Sequence, residues 1–142
     1  MDALVRRLYE EAIPFGPCEY FTGDESLMEL MRKFLTAKGA EFCIKNDFPS
    51  DTLCDALKRE DLAGIGIYID AGKQSLRNPM RIALVGACEF NLFYDTAAYP
   101  CRVILMKGAR AHIKAGGYSV VAIQAQDGCR YDIQTSDNAI VR

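Results

Sequence analysis

The chain has no tryptophan and a single histidine, His112. A hydrolytic or metal site built on several imidazoles is therefore excluded. Its six cysteines, Cys18, Cys43, Cys54, Cys88, Cys101 and Cys129, form no CxxC pair, so the zinc-binding spacings are missing as well. GxxxxGK[ST], HExxH and GxSxG are absent, and Gly64-Ile65-Gly66 leads into a strand pattern rather than a helix, which fails the dinucleotide fingerprint. Each Asp-Gly or Asp-Asn corner carries one acid, too few for the roughly six to eight oxygens of a calcium site. The reading is of a protein with no metal and no cofactor. No apolar run approaches the ~20 residues that span a bilayer. The start, Met1-Asp2-Ala3-Leu4-Val5-Arg6-Arg7, lacks the apolar stretch of a signal peptide, so the expected location is cytoplasmic. The net charge of -2 gives no general attraction to nucleic acid or anionic lipid.

What is present is an ordinary globular composition, 50% hydrophobic and 25% charged over 142 residues. That suffices for one core without disulfide staples, and a reducing compartment keeps thiols free. Cys88, Cys101 and Cys129 sit in or beside strand-like runs and read as small buried hydrophobes.

The segment 1–63 is helical in pattern. Leu4, Val5, Leu8 and Ala12 mark one face of a helix over positions 2–12, stopped by Pro14, Gly16 and Pro17. The linker through Phe15, Tyr20 and Phe21 is aromatic enough to pack on a core. A second helix is expected from Asp24, with Asp24 or Thr22 as cap and Glu25 favouring its positive end. Leu27, Leu30, Met31, Phe34 and Leu35 form its apolar stripe, and Gly39 reads as its C-terminal stop. Positions 41–45 fit either a short strand or a helical turn. Positions 46–49 read as a turn, and Ser50 or Asp51 caps a short helix through Leu57.

From Ile65 the apolar period becomes two, the signature of strands. One set of runs starts at 67, 88, 110 and 130, and the runs that follow them start at 81, 102, 119 and 138. A two-strand unit thus recurs about every 20 residues, within the range of repeat architectures. Turn residues punctuate the runs: Gly72, Asn78-Pro79, Gly86, Lys107-Gly108, Gly116-Gly117, Asp127-Gly128 and Asp137-Asn138. Two-residue Gly-Gly and Asp-Gly loops would suit an antiparallel meander or sandwich. A near-constant double period suits a β-solenoid, whose coils must keep similar length for their ladders to align. The solenoid is the preferred reading. It predicts that the N-terminal helices close the Ile67 end or one flank. It also predicts that the coil around positions 138–142 stays uncovered and offers a self-association surface.

Several segments carry a resemblance. They are Glu41-Phe42-Cys43-Ile44-Lys45-Asn46-Asp47-Phe48-Pro49, Gly66-Ile67-Tyr68-Ile69-Asp70, Asn78-Pro79-Met80-Arg81-Ile82-Ala83-Leu84-Val85-Gly86, Val103-Ile104-Leu105-Met106-Lys107-Gly108-Ala109-Arg110-Ala111 and Asp137-Asn138-Ala139-Ile140. Over positions 25–142 the chain resembles a family of small bacterial helix-plus-β-repeat proteins associated with the genomes of gut commensals and their mobile elements. The resemblance implies the fold; the family has no established activity, so it implies no catalytic residue.

In Arg110-Ala111-His112-Ile113-Lys114, Ala111 and Ile113 share one face and His112 the opposite, solvent face. Stacked coils would set Asp132 near His112, a candidate acid/base or ion pair. Asp70, Glu89 and Asp132 occupy similar places in their runs and could align as a carboxylate row, but four coils offer a small surface, and the acids read as solvated outward positions. Catalytic residues are not assigned; His112, Asp132 and Glu89 are the candidates. Arg102, Lys107, Arg110, Lys114 and Arg130, with Tyr94, Tyr99 and Tyr118, form a candidate basic stripe. Edge protection by charge and core tyrosines are the stronger account of these residues.

The chain thus reads as one α+β domain over positions 1–142, helical over 1–63 and a β-repeat over 64–142. The leading function is a non-enzymatic structural or protein-interaction module, with a protein partner or self-association through the last coil and no membrane. The competing readings are a small carbohydrate-binding protein or hydrolase using the face around His112, and a nucleic-acid accessory protein.

Overall fold

A computed structural model of the chain describes residues 2–16 and 21–142. Pro17 and Tyr20 of the aromatic linker, and Cys18, lie outside the described residues. The chain divides into two compact units, Met1–Gly64 and Ile65–Arg142.

Among the described residues the first unit holds four α-helices: α1 Ala3–Ala12, α2 Leu27–Phe34, α3 Ala37–Asn46 and α4 Asp51–Leu57. Each begins on a side-chain cap. Asp2 accepts from the Leu4 and Val5 amides, Ser26 from Glu29, Thr36 from Gly39 and Ser50 from Leu53. The cap of α2 is therefore Ser26, not Asp24 or Thr22. The reason is the use made of Glu25, whose buried carboxylate closes the preceding turn. It accepts from the Thr22 amide (3.1 Å), the Gly23 amide (2.9 Å) and Lys33 Nζ (2.8 Å). Positions 41–45 are helical, inside α3. Gly39 also lies inside α3 and stops nothing. A Cβ there would stand 2.1 Å from the carbonyl oxygen of Lys33, so the missing side chain lets the start of α3 approach the end of α2. Edge-to-face contacts link Tyr9, Phe21, Phe34, Phe48 and Phe42 in series through this unit.

The second unit is built from nine strands: β1 Ile67–Ile69, β2 Gly72–Arg77, β3 Arg81–Val85, β4 Cys88–Tyr94, β5 Cys101–Met106, β6 Arg110–Ala115, β7 Val120–Ala125, β8 Arg130–Thr135 and β9 Ile140–Val141. They form two sheets, in the orders β1-β3-β5-β7-β9 and β2-β4-β6-β8, and every pairing is parallel. The chain alternates between the sheets as it climbs. The protein is α+β, with a β-solenoid of about four turns, and the hairpin-based meander is excluded.

The register corrects one detail. In the first coil Ile67 pairs with Ala83 and Gly72 with Cys88. Later coils set Glu89 against Arg110 and Arg110 against Arg130, so the first coil is the shorter one. The run at Ile67 therefore belongs with β3 and β5, not with the runs at 88, 110 and 130. The partner of those runs in the first coil is β2, Gly-Lys-Gln-Ser-Leu-Arg, whose polarity hides it from an apolar-period reading.

Side chains of the two sheets meet inside the coil. Ile82, Leu84, Val103, Leu105 and Val121 come from one sheet, and Phe90, Leu92, Ala111 and Ile113 from the other. Bulky Phe90 stacks on small Ala111 in the ladder, which keeps the layers filled without overpacking. The corners add polar links between coils. Asp70 turns the chain at φ 49 and its Oδ1 accepts from the Ala87 amide one coil on, at 2.7 Å. Asn78, at φ 53, accepts from the Asp95 amide at 2.9 Å and donates to the Asp95 carboxylate at 2.7 Å.

Among the described residues no helix is long and apolar enough to cross a membrane, and no group of three His, Cys, Asp or Glu is placed to hold a metal ion.

Candidate functional site

Alternation along β2, β4, β6 and β8 sends every second side chain outward, and the parallel register stacks these into columns. One column is Lys73, Glu89, Arg110 and Arg130; the next is Ser75, Asn91, His112 and Asp132; the third is Arg77, Phe93, Lys114 and Gln134.

The second sheet brings the three sequence candidates together. His112 Nδ1 lies 2.5 Å from Asp132 Oδ2, and its Nε2 lies 3.5 Å from Glu89 Oε1. Glu89 also faces Lys73 Nζ at 3.5 Å. The hydrogen bond to Asp132 leads in raising the His112 pKa, and the contact with Glu89 adds to it. His112 in turn is the main cause that lowers the pKa of Glu89, ahead of Lys73. A carboxylate at each ring nitrogen favours the protonated imidazole, and the three side chains link successive coils. Cys88, on the same strand as Glu89, faces the core, where its Sγ lies 3.5 Å from the Val85 carbonyl and burial pushes its pKa up. It is not positioned as a nucleophile toward His112.

The register also places the two side-chain groupings that the sequence reading set aside. Asp70 is a corner residue bonded to the Ala87 amide, and Glu89 and Asp132 stand in neighbouring columns, so the three acids form no row. The basic stripe is divided between the sheets. Arg102 belongs to β5 and donates to Gln124 at 2.6 Å, Lys107 is at a corner, and only Arg110 and Arg130 share a column. Of its tyrosines, Tyr94 is buried and Tyr99 donates to the Asn78 carbonyl at 2.8 Å; Tyr118 alone is well exposed.

The third column contains what sequence reasoning missed. At the downstream ends of β2, β4, β6 and β8 lies a cleft of about 350 Å³. Its floor includes Phe93, 39% exposed, with Lys114 Nζ 5.8 Å from the ring centroid. Arg77, paired with Asp95, forms one wall; Gln134, Thr135 and Ser136 form the other. The signal was present in Cys88-Glu89-Phe90-Asn91-Leu92-Phe93, where alternation puts Phe93 outward beside two polar residues.

The fold and these columns define a class: a short two-sheet parallel β-solenoid following a helical unit. No protein-family model matches the chain, and neither does any curated protein or solved structure compared with it.

Proposed function

We propose that the chain is a non-enzymatic interaction module that associates with a second copy of itself through its last coil. The observation that carries this reading is the exposure of β8 along its whole length. Tyr131 and Ile133 are 46% and 40% exposed, yet they continue the columns of Phe90 and Ala111 and of Leu92 and Ile113, which are core in the preceding coils. Apolar side chains in core register beside an edge strand without a further partner among the described residues favour strand addition.

The edge suits its own copy. Antiparallel pairing centred on Tyr131 sets Arg130 of each copy opposite Asp132 of the other, on the same outward face. Opposite charges directly across a ladder support such pairing. Sedimentation velocity across a concentration series is expected to show a dimer that Ile133→Lys converts to monomer, with the circular dichroism of the variant unchanged. A wild-type chain that stays monomeric at every concentration refutes the reading.

A further inference from the structure

We infer that the cleft beside Phe93 binds a saccharide unit carrying a carboxylate, a uronic-acid type of ligand. The inference concerns the outward side of the β2-β4-β6-β8 sheet at the ends of its strands, including Gln134 and Thr135 of β8, and does not rest on self-association.

Four exposed polar side chains converge on the cleft without a partner among the described residues. Among the described residues, the polar ends of Lys114, Gln134, Thr135 and Ser136 have no hydrogen-bond or ion-pair partner in the protein, although all four line one cavity. Their neighbours are treated differently: Arg77 pairs with the Asp95 carboxylate, and Asn78 with both the carboxylate and the amide of Asp95. The cleft therefore has one wall whose polar groups are paired within the protein and one whose exposed polar groups are open to solvent or a ligand. Its volume lies at the small end of the roughly 300–1,000 Å³ range of ligand pockets.

The chemistry of the free groups selects the ligand. Of the two cations lining the cleft, Arg77 is paired with Asp95, which leaves Lys114 to take one anionic group. Gln134, Thr135 and Ser136 offer an amide and two hydroxyls on consecutive residues, a donor-and-acceptor set suited to sugar hydroxyls. The Phe93 ring offers an apolar face to the C–H side of a pyranose. In the free protein that ring is within cation–π range of Lys114. A carboxylate that drew the ammonium aside would uncover the ring for stacking, so both parts of the ligand would be engaged together. A simple anion uses only Lys114, and a neutral sugar leaves the ammonium on the ring.

The test is an NMR titration of the full-length chain with a 1,4-linked digalacturonate, its dimethyl ester and acetate as probes. Digalacturonate is expected to give saturable shifts at Phe93, Lys114 and Gln134, with the ester weaker by about tenfold or more. Lys114→Met keeps the aliphatic stem and is expected to abolish that preference for the acid. Phe93→Ala is expected to weaken both sugars. Both positions are exposed, so the melting temperature of each variant should match the wild type and separates lost binding from lost folding. Absence of saturable shifts with digalacturonate overturns the inference. So does equal binding of the ester, or acetate reproducing the same shifts.

Discussion

His112 shows how much a parallel ladder can do with single residues. Three coils each contribute one side chain, and the in-register stack sets an imidazole between carboxylates from the coil before it and the coil after it. Because the folded pKa is raised, the clamp contributes stability that is fully present below the unfolded value, near 6.5, and is lost as pH rises through the folded value. A ring-proton NMR titration is expected to give a midpoint above 6.5 in the native protein. Asp132→Asn should lower it more than Glu89→Gln, since Asp132 is the larger cause. A native midpoint at or below the unfolded value would show that the carboxylates do not hold the ring in solution. Tyr94 poses the opposite case. Its side chain is buried in the coil and, among the described residues, its hydroxyl has no partner. Burial pushes its pKa up, so the group stays neutral and costs desolvation without return. Tyr94→Phe is expected to stabilise the β unit by about 1 kcal/mol in a denaturant melt; a loss of stability would reveal a bonded hydroxyl.

At the scale of elements, close approach overrides propensity. Alanine in place of Gly39 would gain roughly 1 kcal/mol of intrinsic helix preference. It would also drive a Cβ to 2.1 Å from the Lys33 carbonyl oxygen, a backbone atom that cannot swing away. Overpacking of this kind costs about 1–3 kcal/mol, so Gly39→Ala is expected to be destabilising on balance, as read by urea unfolding of the helical unit. A variant as stable as the parent would mean that α2 and α3 can separate at little cost. The same contest explains what the sequence could reveal. Alternation was legible in β4 and β6, where the inward positions are buried and apolar, while β5 is buried at nearly every position and shows no such period. β2 was not legible, since Leu76 alone in that strand is even half-buried. The step from the run at 67 to the run at 88 matched the later coils by coincidence, and the short first coil broke the rule. The approach of His112 to Asp132 followed from equal coil lengths, whereas the cleft at Phe93 needed the corners, where stacking rather than local pattern decides which side chains converge.

The β unit as a whole is close to one-dimensional: each coil contacts only the coils above and below, so its stability is a sum of coil and interface contributions. The middle coils have two neighbours and a filled interior, with Leu92, Val103, Leu105 and Ile113 all inaccessible to solvent. β8 and the short β9 have one neighbour each within their sheets, and Tyr131 and Ile133 remain open. Local opening should therefore start at the last coil and move inward, because β8 and β9 are each held by a single strand pairing. Hydrogen exchange on the dilute protein is expected to show rapid exchange in β8 and β9, intermediate rates in β7 and strongest protection in β4, β5 and β6. The same measurement at high concentration separates the two roles of that edge. If β8 pairs with a second copy, its outward-edge amides gain protection by mass action, whereas those of β4 do not change. Uniform protection along the coils would argue that the unit unfolds in one step, and the edge would then lack the looseness that lets it accept a new strand.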